Sequence, residues 1–169
     1  MRMSPGWRKF SLILHLISSL GWMGAVAAYL VLDLTVATSQ NAPVVAAAWT
    51  GMALIVSTVI VPLALAALLT GIIQSLGTQW GLFRHWWVLI SLLLTVFATV
   101  ILLIEAESIR ATASLVADPT APGHAGGGTL LHSIGGLVVL SVITVLNVYK
   151  PKGLTPYGWR KQQEERGRT

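Results

Sequence analysis

The 169-residue chain is 54% hydrophobic and only 10% charged, and it has a formal net charge of +5 and no cysteine. Its mean hydropathy of +0.74 excludes an ordinary soluble domain, because a chain of this length cannot bury so much apolar surface. The missing cysteines exclude disulfides and thiolate-bound metals, and the positive charge flanks apolar segments, which indicates orientation in a membrane instead of nucleic-acid binding.

Four membrane-spanning helices are predicted in chain order, at about residues 10–34, 46–76, 86–106 and 129–149. Each contains an uncharged run of about 18 residues or more, which is long enough to cross about 30 Å of hydrocarbon. Only helices or closed barrels satisfy the backbone in lipid, and no barrel pattern competes. The predicted fold class is therefore all-α, an integral membrane four-helix bundle. A secretory signal peptide is the alternative for the first helix, but an apolar run that continues to Leu32 is too long for a signal core.

Three features outside the regular spans are also predicted. Pro62 is expected to kink the second helix, because proline removes one backbone hydrogen bond. The third helix is expected to extend from Glu105 to Ala117. Residues 150–169 form a basic tail with too little apolar material to fold alone, and we expect it to lie along the lipid headgroups.

The basic residues predict the orientation of the bundle. If the helices alternate in direction, ten of the eleven lysines and arginines lie on one side, and Arg110 lies on the other. Basic residues are retained in the cytoplasm during insertion. Both termini are therefore predicted to be cytoplasmic, in a multi-pass protein of the bacterial cytoplasmic (inner) membrane.

The first helix carries nearly all of its polar side chains on one face. At 100° per residue, His15, Ser19, Trp22, Tyr29 and Asp33 lie within about 40° of one line along the helix. Plain helix packing is the simplest interpretation of this stripe. The alternative is a functional interior, since an imidazole within a span is uncommon and often marks one.

Two histidines on the predicted cytoplasmic side could act together. His15 lies in the first helix and His85 opens the third, so the pair could hold the iron of haem b from both faces or bind a transition metal such as copper. The alternative for His85 is an interfacial position in an aromatic belt, beside Trp86 and Trp87.

A second cluster of carboxylate and imidazole side chains is predicted at the opposite face of the membrane. Two of its members end the first and third helices, one begins the fourth helix, and one lies in the loop before it. Its members are Asp33, Glu105, His124 and His132. Imidazole and carboxylate groups suit zinc or copper(II). Solvated charges at helix ends are the alternative interpretation, because they are easily tolerated near water.

The functional prediction is a non-enzymatic accessory or interaction subunit, because no nucleophile–base constellation or phosphate-binding loop is present. A small-residue surface on the first helix allows close approach of a partner helix, in a homo-oligomer or with other membrane subunits. It comprises Gly21, Gly24, Ala25 and Ala28. Haem or metal binding through His15 and His85 is the first alternative, and a small-molecule transporter component is the second.

Two segments carry a resemblance to known proteins, residues 15–22 (HLISSLGW) and residues 77–87 (GTQWGLFRHWW). Through them the chain resembles an uncharacterised family of predicted bacterial integral membrane proteins over most of its length except the tail. More distantly it is similar to the copper-resistance D-type membrane proteins and the membrane protoporphyrinogen oxidase group, which implies handling of copper or haem. The oxidase group pairs its histidine with an intramembrane lysine, and no predicted span here contains a lysine.

Overall fold

The structure is a computed structural model that describes residues 3–78, 80–117 and 129–167. The described residues form α-helices and a short π-helical turn, without a strand, so the predicted all-α class is confirmed. The elements in chain order are α1 (Pro5–Thr38), α2 (Ala42–Ile55), the π-helical turn Val56–Ile60, α3 (Val61–Leu76), α4 (Trp86–Ala117), α5 (Leu130–Tyr149) and α6 (Pro156–Arg166).

Four helices are long and apolar enough to cross a membrane, and the second of them, Ala42–Leu76, is α2, the π-helical turn and α3 in continuous succession. The chain is thus a multi-pass membrane protein. α1 has 34 residues and extends beyond its predicted span at both ends, and α4, with 32 residues, includes the expected extension to Ala117. At about 1.5 Å per residue α1 is about 51 Å long, well over the roughly 30 Å of a hydrocarbon core. Its ends therefore project from the bilayer.

The expected disturbance near Pro62 is a widened turn that precedes the proline. In the π-helical turn the backbone N–H of Val61 donates to the carbonyl of Val56, five residues back instead of four. Such a turn inserts one extra residue into a helix. It ends at Ile60, two residues before Pro62, which has no N–H to donate.

The core lies where the second span packs between α1 and α4. Five residues of the second span are at most 2% exposed and recur every three or four positions, which places them on one helix face. They are Trp49, Met52, Val56, Ile60 and Ala64. Large apolar side chains on the outer faces are exposed, for example Leu69 and Leu93. In a spanning helix these side chains contact lipid.

We call the end of the bundle that carries Arg8, Lys9, Arg84 and Lys150 the basic end, and the end that carries Asp33, Glu105 and Glu107 the acidic end.

At the acidic end, α1 is tied to the start of α5. The carboxyl group of Asp33 is fully buried and accepts two hydrogen bonds, from the backbone N–H of Thr129 at 3.0 Å and from the hydroxyl of Ser133 at 2.7 Å. The hydroxyls of Tyr29 and Thr129 are 2.6 Å apart. A carboxyl group at the N-terminus of a helix is also favoured by the helix dipole.

At the basic end, the tail folds against the loop between α3 and α4, where residues 150–169 were expected only to lie along headgroups. The backbone N–H of Thr155 donates to the carbonyl of Arg84 at 3.0 Å, and the Thr155 hydroxyl donates to the carbonyl of Phe83. The same hydroxyl accepts from the N–H of Gly158 at 3.0 Å, which caps α6. The Arg84 guanidinium donates to both carboxylate oxygens of Glu165, at 3.2 and 3.0 Å. Polar contacts with the loop thus hold the tail in a folded conformation, although its apolar content is too small to do so.

We expect Asp33→Ala to lower the free energy of unfolding by about 1–3 kcal/mol for each buried donor left without an acceptor. Asp33→Asn keeps one carbonyl oxygen as an acceptor and should cost less. The measurement is unfolding by sodium dodecyl sulfate in mixed micelles, followed by circular dichroism. Glu107→Ala is the control, because Glu107 lies at the same end in an exposed ion pair with Arg110, and such pairs contribute little. Equal stability of Asp33→Ala and Glu107→Ala would contradict the role of Asp33.

We expect Gly158→Ala to detach α6 from the loop, because a Cβ atom at this position would overlap the carbonyl oxygen of Arg84. If the substitution makes the docking of α6 on the loop less favourable by about 1.4 kcal/mol, the population with α6 undocked rises about tenfold. Trypsin should then cleave at Arg160 correspondingly faster. Gly167→Ala is the matched control, since a Cβ there meets only the carbonyl oxygen of Gln163 at 3.7 Å. Identical cleavage rates in both variants would show that close packing of Gly158 does not hold the tail.

Candidate functional site

A cavity of about 280 Å³ lies between the spans on the side of the basic end, and we call it the basic-end cavity. All four spans contribute polar side chains to its wall. They include His15 and Ser19 from α1, Gln74 from α3, Ser91 and Thr95 from α4, and Asn147 from α5. The volume is just below the range of roughly 300–1,000 Å³ that is typical of small-molecule sites.

Three of the six buried side-chain polar atoms that have no partner in the described part of the chain belong to residues that line this cavity. The Gln74 Oε1, Thr78 Oγ1 and Ser91 Oγ atoms are buried, and none has a hydrogen-bond partner within the described part of the chain. All three residues line the cavity, and Ser91 is only 7% exposed. A buried polar group without a partner costs on the order of 1–3 kcal/mol, and more in an apolar medium. Water or a ligand inside the cavity would remove this cost.

His15 is fixed against α3 by hydrogen bonds to one of its ring nitrogens. Its Nδ1 lies 3.2 Å from the carbonyl oxygen of Ala67 and 3.1 Å from the hydroxyl oxygen of Thr70. The carbonyl can only accept, and the Thr70 hydroxyl donates its hydrogen to the carbonyl of Ala66 at 2.6 Å. Nδ1 must therefore carry the hydrogen of the neutral ring.

This arrangement leaves the other ring nitrogen of His15, Nε2, available on a cavity wall. Nε2 has no hydrogen-bond partner among the described residues. The ring lies close to the helix backbone because position 71 is glycine, where a Cβ atom would be 3.1 Å from Cε1 of His15. Fixing one imidazole nitrogen with a backbone carbonyl is the usual way to orient the other nitrogen toward a metal or ligand.

The loop between α3 and α4 forms the mouth of the cavity at the basic end. The Lys150 ammonium lies 5.4 Å from the centre of the Trp80 ring, and Trp80 packs against Trp87 with ring centres 5.5 Å apart. All three residues line the cavity. A cation over an aromatic ring is attracted to its face, so the mouth combines apolar surface with one positive charge.

His85 does not line this cavity, although it was predicted to share a site with His15. Its Nδ1 lies 2.7 Å from the carbonyl oxygen of Trp80, and its ring packs against Trp80 at 5.3 Å between centres. It also forms a backbone bridge with Leu154 of the tail. His85 thus joins the loop, α4 and the tail, and its pairing with His15 on one ligand stays a prediction.

A second cavity, of about 330 Å³, lies nearer the acidic end, and we call it the acidic-end cavity. Its wall is mainly apolar, with contributions from Val56, Ile60 and Leu102, and its polar residues include Tyr29, Glu105, Thr129 and His132. The Nε2 atom of His132 lies 3.5 Å from the carboxylate of Glu105.

The predicted acidic-face metal cluster is divided between two arrangements. Asp33 uses both carboxyl oxygens on Thr129 and Ser133, whereas Glu105 and His132 pair with each other. His124 lies outside the described residues. Within residues 3–78, 80–117 and 129–167, no group of three His, Asp or Glu side chains is placed to hold a metal ion.

The polar stripe of α1 lines both cavities. His15, Ser19 and Trp22 line the basic-end cavity, and Trp22 and Tyr29 line the acidic-end cavity. Sequence reasoning missed Ser91 and Asn147 as partners of this stripe. Each is a single polar residue in an apolar run, so no periodic pattern marks it, and the only available signal was its polarity within a span.

Comparison of the chain with protein families, curated proteins and solved structures finds no match. The resemblances described above therefore stay predictions, and the function must be argued from the geometry of the cavities.

We expect Ser91→Ala to leave the protein no more stable than the wild type. If the cavity were dry, removal of an unpartnered hydroxyl would raise the free energy of unfolding by about 1–3 kcal/mol. If water or a ligand bonds the hydroxyl, this gain disappears. Ser141→Ala is the control, because Ser141 is exposed and already donates to the carbonyl of Leu137. A clear stabilisation of Ser91→Ala in mixed-micelle unfolding would show a dry cavity.

Proposed function

We propose that this protein binds a small amphipathic ligand in the basic-end cavity, with His15 as the group that anchors it. The observation that carries the proposal is the meeting of three unpartnered buried oxygens and the oriented His15 Nε2 in one intramembrane cavity. Native proteins rarely leave so many buried polar atoms unpaired in one place without a water or ligand to satisfy them.

The cavity wall indicates the kind of molecule that would fit. Trp22, Trp80 and Trp87 offer aromatic surface for an apolar body, and Gln74 and Asn147 offer amide groups for hydrogen bonds. Lys150 at the mouth suits a carboxylate or phosphate at the level of the headgroups. A molecule with an apolar body and an anionic end satisfies all three features.

Haem b or a transition-metal ion is a second candidate ligand, because the fixed Nδ1 of His15 leaves Nε2 as a metal-binding atom. Nε2 would bind the iron of a haem or a metal ion, and the Lys150 ammonium would pair with a haem carboxylate. A bound haem would supply one-electron chemistry. His85 supplies no second ligand from the wall of this cavity, so the fit is to a haem or metal held by one histidine of this chain.

Association with partner helices stays a prediction beside these proposals. A Cβ atom at Gly21 would be 3.2 Å from Leu63, so Gly21 serves packing within the bundle, whereas a Cβ at Gly24 would meet nothing within 4 Å. Exposed apolar side chains on the spans are required by lipid contact in any case. The location we propose is the bacterial cytoplasmic membrane with the basic end in the cytoplasm, supported by the distribution of lysine and arginine.

We expect purified wild-type protein to carry a bound small molecule that is lost in His15→Ala and in Ser91→Leu, which fills the cavity. Val96→Leu is the matched control for Ser91→Leu, because Val96 lies on α4 and is exposed outside both cavities. The measurements are native mass spectrometry from nanodiscs and absorption spectra of the oxidised and reduced protein.

The same measurements separate the ligand classes. A haem band lost in His15→Ala and kept in His85→Ala would support haem bound by His15 alone, whereas its loss in both would restore the pair predicted from the sequence. A colourless wild-type protein whose native mass spectrum shows a bound molecule with the mass of a lipid-like compound would support the amphipathic ligand. Wild-type protein without any bound molecule, from cells supplied with haem and copper, would contradict ligand binding in this cavity.

A further inference from the structure

The two cavities approach each other inside the bundle and share part of their walls. Trp22 and Leu140 line both of them, and these side chains are 4% and 7% exposed. Below this pair the first cavity reaches Thr78 and Lys150 at the basic end, and above it the second reaches Glu105, Thr129 and His132 at the acidic end. One tryptophan and one leucine therefore separate two cavities that lie toward opposite ends of the molecule. We call the pair Trp22 and Leu140 the septum.

The position of the septum is also defined on α4. Thr95 lines the basic-end cavity, whereas Ala98, three residues later, lines the acidic-end cavity. Three residues of helix correspond to about 4.5 Å. The boundary between the two cavities thus falls within about one turn of α4.

We propose that the two cavities are halves of one transmembrane path for a small uncharged solute, closed in this structure by the septum. The path goes beyond the proposed function, because its solute is uncharged and differs from the amphipathic ligand proposed for the basic-end cavity. Four spans contribute to the path, which runs along the polar stripe of α1.

The chemistry of the walls selects the class of solute. Hydroxyl and amide groups and the His15 imidazole line the basic-end half among apolar side chains, and the residues around the septum are Val26, Val56 and Ile60, all apolar. The described residues place no charged side chain there, since Lys150 lies at one mouth and Glu105 is paired with His132 at the other. A hydrated ion would lose its water next to the septum without gaining a compensating charge. An uncharged solute with hydroxyl or amide groups, of the size of glycerol, pays no such penalty.

The absence of cysteine from the chain permits a direct test by labelling of single introduced cysteines. Thr95→Cys reports on the basic-end half and Ala98→Cys on the acidic-end half, from the same helix. Val96→Cys faces outward between them and serves as the control for reaction through lipid. The probe is an uncharged, hydroxyl-bearing methanethiosulfonate that is too polar to cross lipid, added to one side or the other of oriented proteoliposomes.

With Trp22 present, we expect reagent on the basic side to label Thr95→Cys but not Ala98→Cys, and reagent on the acidic side to do the reverse. With Trp22→Ala, both positions should be labelled from both sides. Trp49→Ala is the matched control, because Trp49 is equally buried and lines neither cavity. If Trp22→Ala fails to fold, Leu140→Ala opens the same septum with a smaller change.

Permeation is measured in parallel, as the shrinking and reswelling of proteoliposomes exposed to glycerol. Glycerol permeability should rise several-fold in Trp22→Ala or Leu140→Ala over Trp49→Ala, while potassium permeability stays unchanged. Labelling that keeps its sidedness in both septum variants would overturn the path. A bound ligand lost in Ser91→Leu, together with that result, would leave the proposed binding function standing without the path, whereas failure of both assays would remove both proposals.

Discussion

The attachment of Asp33 to the start of α5 is the interaction on which the arrangement of the bundle depends. A fully buried carboxyl group is costly unless its oxygens are bonded, and here both oxygens bond to the first turn of the last span. The contact joins the end of the first helix to the beginning of the last, so it closes the bundle. It also holds Tyr29 beside Thr129, and both residues line the acidic-end cavity. Asp33 thus acts as a structural anchor in this structure, and its predicted role as a metal ligand stays a prediction.

The other end is held by a different kind of contact. Hydrogen bonds from Thr155, the close approach of Gly158 and the Arg84–Glu165 pair fix the tail to the loop before α4. That loop supplies Trp80, whose carbonyl holds His85 and whose ring faces Lys150. The tail thus supports the mouth of the basic-end cavity, although none of the α6 residues lines it. Polar contacts at both ends define cavities whose walls are otherwise set by apolar packing.

The number of spans and the α1 stripe could be predicted from the sequence because both depend on local patterns. The length of an apolar run predicts whether a helix can span the membrane, and a spacing of 3.6 residues predicts which side chains share one face of the helix. The partners of that face could not be predicted, because contacts such as His15 with Thr70, or Asp33 with Ser133, join residues more than fifty positions apart. Composition also did not predict the folding of the tail, because apolar content gives no information on polar contacts such as the packing of Gly158 against the carbonyl of Arg84. His15, which was predicted in a functional interior, lines the basic-end cavity, whereas its binding of a haem or metal together with His85 stays a prediction.

The π-helical turn has a consequence for motion within the bundle. Val56 and Ile60, which begin and end it, also form part of the acidic-end cavity wall. A π-helical turn can shift along a helix when an N–H that bonds to the carbonyl five residues back changes to the carbonyl four residues back, and a neighbouring N–H makes the opposite change. The helix does not need to unfold for this shift. Each residue that the widened turn passes would rotate by about 100° relative to the rest of the span. The second span can therefore reshape the wall beside the septum by a change of register, while the ends of the helix and their anchors stay in place.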